Sequence, residues 1–276
     1  MLSFLLPLLL LLNFSSCEDE KKTVREDEKN GKDTTVAITP PPDKFALTPF
    51  VYDSTKTYIY LTFDDGPQNG TMQCFNLCKE LGVKATFFMV GNHARDKWGK
   101  DIVSTIREAY PQILLANHST THASNRYHYF YTHPVMAAED FYKAQQSLNV
   151  PYKIIRLPGN TAWVSAKGIK STSLVKPVCK LLDSAGYNVL GWDVEWNFRY
   201  DGTSRPVQSA EKIISQTNYA ATEGNLYTKK HVVVLTHDRM FRQQADLDSL
   251  RKYISALKSN PQYVFETMDH YPGLRF

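Results

Sequence analysis

The chain has 276 residues, 42% of them apolar and 22% charged, with a formal net charge of +4. That is normal for a globular protein and leaves room for one large domain or two small ones. The charge is too small to indicate nucleic acid, and four cysteines are too few for a disulfide-stapled scaffold.

Residues 1–17 read MLSFLLPLLLLLNFSSC. A leucine run ending in small residues reads as a secretory signal, too short to span a bilayer comfortably. Ser15, Ser16 and Cys17 resemble a bacterial lipoprotein cleavage site, which would put a lipid on Cys17. Residues 18–45 are charged and then proline-rich, a composition that cannot bury enough apolar surface to fold. They read as a tether stiffened by Pro40, Pro41 and Pro42. Residues 18–44 hold eight acids and six bases, which leaves a weakly basic body of 26 bases and 20 acids.

The folded domain is predicted over 46–276. Strands are expected at 58–63, 85–90, 113–116, 154–155, 188–192, 232–235 and 263–267. Helices are expected at 69–81, 102–110, 134–148, 175–185, 209–220 and 247–259. Cys74 and Cys78 fall on one helix face and read as small core residues. With Cys179 they make an odd set, so at least one thiol is expected buried and free. Strands alternating with helices imply a parallel sheet covered by helices, with enough units to close a barrel. Function in such folds gathers at the C-terminal ends of the strands.

Several strand ends carry chemistry. The first closes on Thr62-Phe63-Asp64-Asp65-Gly66-Pro67. Adjacent carboxylates are costly without a positive partner, and a metal ion supplies one. Taken alone, Asp-Asp-Gly is also a common surface turn. The strand at 113–116 leads into His118-Ser119-Thr120-Thr121-His122. Two histidines four apart on a helical turn share a face and reach one cation. The strand at 232–235 leads into Thr236-His237-Asp238, a histidine placed for acid or base work or a satisfied core residue. Arg156-Leu157-Pro158-Gly159 and Trp192-Asp193-Val194-Glu195-Trp196 lie at two further strand ends.

In order, these segments resemble the polysaccharide deacetylase family (the NodB-homology domain, carbohydrate esterase family four). The resemblance spans about residues 55–270 and implies an α/β fold, a distorted (β/α) barrel forming a single catalytic domain. It places Asp64 as catalytic base and Asp65, His118 and His122 as ligands of one divalent metal. Zinc is the expected ion, with Co2+ or another divalent ion as alternatives. Arg156 would orient the base, and Asp193 or Glu195 would partner Arg156, Asp193 being favoured. His237 would be the catalytic acid, with Leu235, Pro158 and Trp196 at the substrate. Two motifs depart from the family. Gly159-Asn160 stand where an aromatic usually follows the third-motif proline, and WDVEW is compressed.

The expected activity is removal of acetyl groups from an N-acetylated polysaccharide, peptidoglycan or a chitin-like glycan. Alternatives are an O-acetyl esterase on a xylan-type glycan and a glycan-binding homologue that has lost catalysis. The aromatic run 126–131 reads either as a platform for sugar rings or as a packed loop. The implied partners are the glycan and, through Cys17, a membrane. The implied address is the bacterial cell envelope. Glu18-Asp19-Glu20 after Cys17 resembles a surface-export signal of some lipoproteins.

Overall fold

A computed structural model describes residues 45, 46 and 50–276. The signal segment, Cys17 and the tether up to residue 44 lie outside them. Among the described residues ten strands form one sheet. They are β1 (Thr57–Gly66), β2 (Ala85–Met89), β3 (Ile113–Asn117), β4 (Ile154–Ile155), β5 (Trp163–Ser165), β6 (Gly168–Lys170), β7 (Asn188–Val189), β8 (Val194–Glu195), β9 (His231–His237) and β10 (Tyr263–Phe265). Seven helices accompany them: α1 (Thr71–Leu81), α2 (Lys97–Glu108), α3 (Tyr127–Thr132), α4 (Pro134–Ser147), α5 (Lys176–Ser184), α6 (Ala210–Thr222) and α7 (Gln244–Lys258).

The strand order is β6-β5-β7-β4-β3-β2-β1-β9-β8, with β10 also paired to β1. The pairs along the body of the sheet are parallel, and only β5 pairs antiparallel, with β6 and β7. Among the described residues no ladder joins β8 to β6, so the sheet curls into a distorted, incompletely closed (β/α) barrel.

The period-2 alternation of strands decides which side chains reach the site. Ile59, Leu61 and Phe63 of β1 pack outward with helix residues such as Leu77 and Ile254. Tyr58 and Tyr60 point into the barrel, where Phe88, Leu114, Ile154, Leu190 and Val233 meet them. A second outer cluster joins Ile155, Val164 and Val189 to Phe141 of α4 and Leu182 of α5. Continued to the C-terminal rim, the inward parity collects Asp64, His118, Arg156, Trp192, Leu235 and His237.

Three boundaries differ from expectation for identifiable reasons. Helix α2 begins five residues earlier than the predicted start, because Asp96 caps it by accepting from Gly99 N–H at 2.8 Å. The apolar pattern alone does not reveal that polar first turn. The predicted strand at 188–192 shortens to β7, with β8 restarting beyond it at Val194, and the hairpin β5–β6 has no long apolar run to announce it. Cys74, Cys78 and Cys179 are all buried and free, as small core residues.

Candidate active site

Consecutive residues of a strand point to opposite faces, so Asp64 and Asp65 cannot both face the barrel in a regular β1. The ladder to β2 slips between Asp64 and Gly66, and Asp65 takes φ 75. This bulge returns Asp65 to the same rim as Asp64. The Asp65 carbonyl is then fixed by Gln68 Nε2–H at 2.8 Å and His93 Nδ1–H at 2.7 Å.

His118 follows β3 with inward parity and is buried. Its Nδ1–H donates to the Arg156 carbonyl at 2.9 Å, which leaves Nε2 free as a lone-pair donor. His122 does not share a helical turn with it, contrary to expectation. Ser119 has φ 73 and residues 122–125 all have positive φ, so a left-handed loop swings the second imidazole toward the first. The ring centroids end 5.2 Å apart.

Asp65 Oδ1 lies 3.0 Å from His122 Nε2 and 3.4 Å from His118 Nε2. One ligand atom from each of Asp65, His118 and His122 falls within 4.8 Å of the others. Asp65 Oδ1 is buried and closes no hydrogen bond, so a cation would satisfy it. One carboxylate oxygen and two imidazole nitrogens suit a borderline divalent ion such as zinc. Burial alone would raise the Asp65 pKa, but contact with the two imidazoles outweighs it and holds the carboxyl well below its usual range.

Asp64 Oδ1 accepts from Arg156 Nη1 at 2.9 Å, and Oδ2 stands 3.6 Å from His118 Nε2. Arg156 is fully buried, donates to the Leu190 and Gly191 carbonyls, and stacks 4.3 Å from the Phe88 ring centroid. Asp193 does not hydrogen-bond it, which corrects the favoured pairing. The Asp193 oxygens accept from Tyr227 N–H and Val233 N–H, 3.0 and 2.9 Å away, and brace the loops between β7 and β9. Glu195 faces the cleft instead; its pKa is raised by burial, partly offset by a hydrogen bond from Trp192.

Two residues expected at the substrate are also corrected. Trp196 shares the outward parity of Val194, packs on Phe241 and Tyr253, and donates from Nε1 to the Gln208 carbonyl. Pro158 is buried and its carbonyl accepts from Tyr131. Trp192, Leu157 and Gly159 line the cleft in their place, with Leu235 as expected.

The cleft has a volume of about 1000 Å³. Tyr127 is the member of the aromatic run that lines it; Phe130 and Tyr131 are core residues of α3 and its neighbours. Gly159 has φ 63, and a Cβ there would stand 3.0 Å from the Tyr127 ring. The missing aromatic at 159 is thus matched by a tyrosine from another segment. Phe198, Arg199 and Tyr200 form a further wall, with Tyr200 90% exposed. His237 closes the rim with Nε2 3.9 Å from Asp65 Oδ2. Burial lowers its pKa, and the charges of Asp65 and Asp64 only partly offset this. Sequence reasoning missed His93, Trp192 and Arg239. Strand parity from Leu190 would have found Trp192; nothing in the sequence singles out His93 or Arg239.

Residues 52–162 match the family described as polysaccharide deacetylase. Over this segment the chain is similar to polysaccharide deacetylases. A chitin disaccharide deacetylase of Vibrio alginolyticus is 27% identical, over 80% of this chain and 73% of that one. A peptidoglycan-N-acetylglucosamine deacetylase of Bacillus cereus is 27% identical, over 65% of this chain and 59% of its own length. Two solved structures share the fold. A Streptococcus mutans esterase of carbohydrate esterase family four has TM-score 0.57 at 22% identity, covering 77% of this chain and 86% of that one. A Bacillus cereus polysaccharide deacetylase has TM-score 0.56 at 21% identity, covering 80% and 97%. The barrel is therefore of the NodB-homology type.

Proposed function

We propose that this protein is a metal-dependent deacetylase that removes N-linked acetyl groups from an amino-sugar glycan, peptidoglycan or chitin-like. The observation that carries this is the rim itself. Asp65, His118 and His122 converge on one point, while Asp64 and His237 stand beside it from neighbouring strands β1 and β9. Asp65, His118 and His122 would hold the cation, Zn2+ for this donor set with Co2+ as the alternative. When bound, the cation supplies Lewis acidity and lowers the pKa of water.

The remaining steps belong to the chain. Asp64 takes a proton from the attacking water through Oδ2, since Oδ1 is occupied by Arg156. Arg156 orients the base. The water oxygen adds to the acetyl carbonyl carbon, the carbon–nitrogen bond breaks, and acetate leaves. His237 gives its proton to the departing nitrogen. Its lowered pKa makes the imidazolium a stronger acid, at the cost of a smaller protonated fraction at neutral pH. Leu235 offers an apolar wall to the acetyl methyl group. The amino-sugar class is supported by the relatives named for chitin disaccharide and peptidoglycan N-acetylglucosamine.

The envelope address and the division into signal, tether and catalytic domain rest on residues 1–45. The leucine run ending at Cys17 supports a lipid-anchored protein beside the cell wall. Mass spectrometry of the mature N-terminus tests it; an unmodified chain starting elsewhere would refute the anchor.

The substrate test is acetate release from N-acetylglucosamine oligomers, compared with acetylated xylan at equal acetyl content. Faster release from xylan would overturn amide cleavage and leave an O-acetyl esterase at the same site.

A further inference from the structure

The two oxygens of Asp65 face different neighbours. Oδ1 faces the Nε2 atoms of His118 and His122. Oδ2 accepts a hydrogen bond from Arg239 Nη2 at 2.7 Å. Arg239 stands on the short turn after β9, two residues beyond His237, and is 28% exposed at the cleft. Its guanidinium lies 4.4 Å from the Phe198 ring centroid, a distance at which the ring face attracts a cation. The Asp65 main chain is already clamped through its carbonyl. What remains free is the terminal torsion of the carboxylate, which is broad and two-fold. Arg239 removes that freedom by occupying Oδ2.

We propose that Arg239 is a positioning residue that confines Asp65 to a one-oxygen ligand. This rests on the reading of Asp65, His118 and His122 as the cation site. A carboxylate that turns both oxygens to the ion raises its coordination number and crowds an open position. A three-ligand hydrolytic site needs that position for water and the substrate carbonyl. Holding the outer oxygen of a ligating carboxylate is how a neighbouring donor fixes the geometry of a metal site. The guanidinium also repels the ion, so two effects on affinity oppose each other: loss of orientation weakens binding, and loss of repulsion strengthens it. Coordination number separates them, because repulsion alone does not change it.

The test uses the full-length protein loaded with Co2+, read by visible absorption, which is stronger at four or five ligands than at six. Arg239→Met removes the donor and keeps the apolar stem. Arg239→Lys keeps a charged donor. The Met variant is expected to lose absorption several-fold as Asp65 turns its second oxygen inward, and the Lys variant to retain most of the band. Arg239→Ala carries the same expectation should the Met variant not fold. A Met or Ala spectrum superimposable on that of the wild type would overturn the role of Arg239 and leave the cation site standing. A wild type with no Co2+ band sensitive to His118→Ala would overturn the site and the role together.

Discussion

Arg156 donates to Asp64 at 2.9 Å inside the barrel, and neither side chain reaches solvent appreciably. Three further donors of the arginine go to Thr62 Oγ1 and the carbonyls of Leu190 and Gly191. A buried pair of this kind is weak evidence for stability, because desolvation cancels much of its attraction. What the pair fixes is which oxygen of Asp64 remains available to the cleft.

Asp64→Asn keeps the shape of the carboxylate and removes its ability to take a proton. Activity is expected to fall by about 10²–10⁴-fold, the usual contribution of a general base. Metal content is expected to remain at the wild-type level, because Asp64 is assigned as base and not as ligand. Steady-state acetate release and elemental analysis on one preparation check both halves. Near-normal turnover would remove the base from Asp64.

Arg156→Met leaves Asp64 as a buried charge without its partner. Removing one member of such a pair costs about 3–5 kcal/mol. Urea unfolding of wild type and variant measures this, provided the slopes agree. The double variant Arg156→Met with Asp64→Asn is expected to recover part of the loss, since no unpaired charge then remains. A single variant as stable as wild type would mean that Asp64 does not depend on Arg156.

His118→Ala deletes one of the two nitrogen donors. The ion is expected to be lost on dialysis that leaves the wild type loaded. Full occupancy in the variant would place the ion elsewhere.

The legible part of the site was the part carried by strand ends. Asp64, His118, Arg156, Leu235 and His237 all follow apolar runs with inward parity, so residue type and position agreed. Asp193 and Trp196 failed for different physical reasons. The segment after β7 is not one continuous strand, and the restart at β8 inverts which residues face the cleft. Glu195 therefore faces the cleft and Trp196 the core, whereas Asp193 is already out of phase with Leu190 and Trp192 and is held by the Tyr227 and Val233 N–H groups. The convergence of His118 and His122 was anticipated, but its route was not. Positive φ at Ser119 and residues 122–125, none of them glycine, is a tertiary outcome with no local signature. The hydrogen bond from Arg239 to Asp65 spans 174 residues and has no sequence pattern at all.

A pH dependence of stability is expected from the opposite end of the barrel. His231 opens β9 beside Tyr58, far along the strand from His237. Its ring stacks on Tyr58 with centroids 5.2 Å apart, and Nδ1 stands 2.9 Å from the Tyr60 hydroxyl. Burial, helped by the positive charge of Lys167, pulls its pKa down to about 4. An unfolded histidine titrates near 6.5. Between those values the unfolded chain binds a proton that the folded chain refuses, so stability rises with pH there. The contribution is complete above about 6.5 and is lost as pH falls toward 4. Thermal unfolding in excess chelator removes proton competition for the cation ligands. Under those conditions the wild type is expected to lose more melting temperature between pH 7 and pH 5 than His231→Gln, which cannot bind the proton in either state. The glutamine variant is less stable at pH 7 through lost stacking, so the two curves should converge on acidification. Parallel curves would show that His231 is charged in the fold, or that its proton is bound equally in both states.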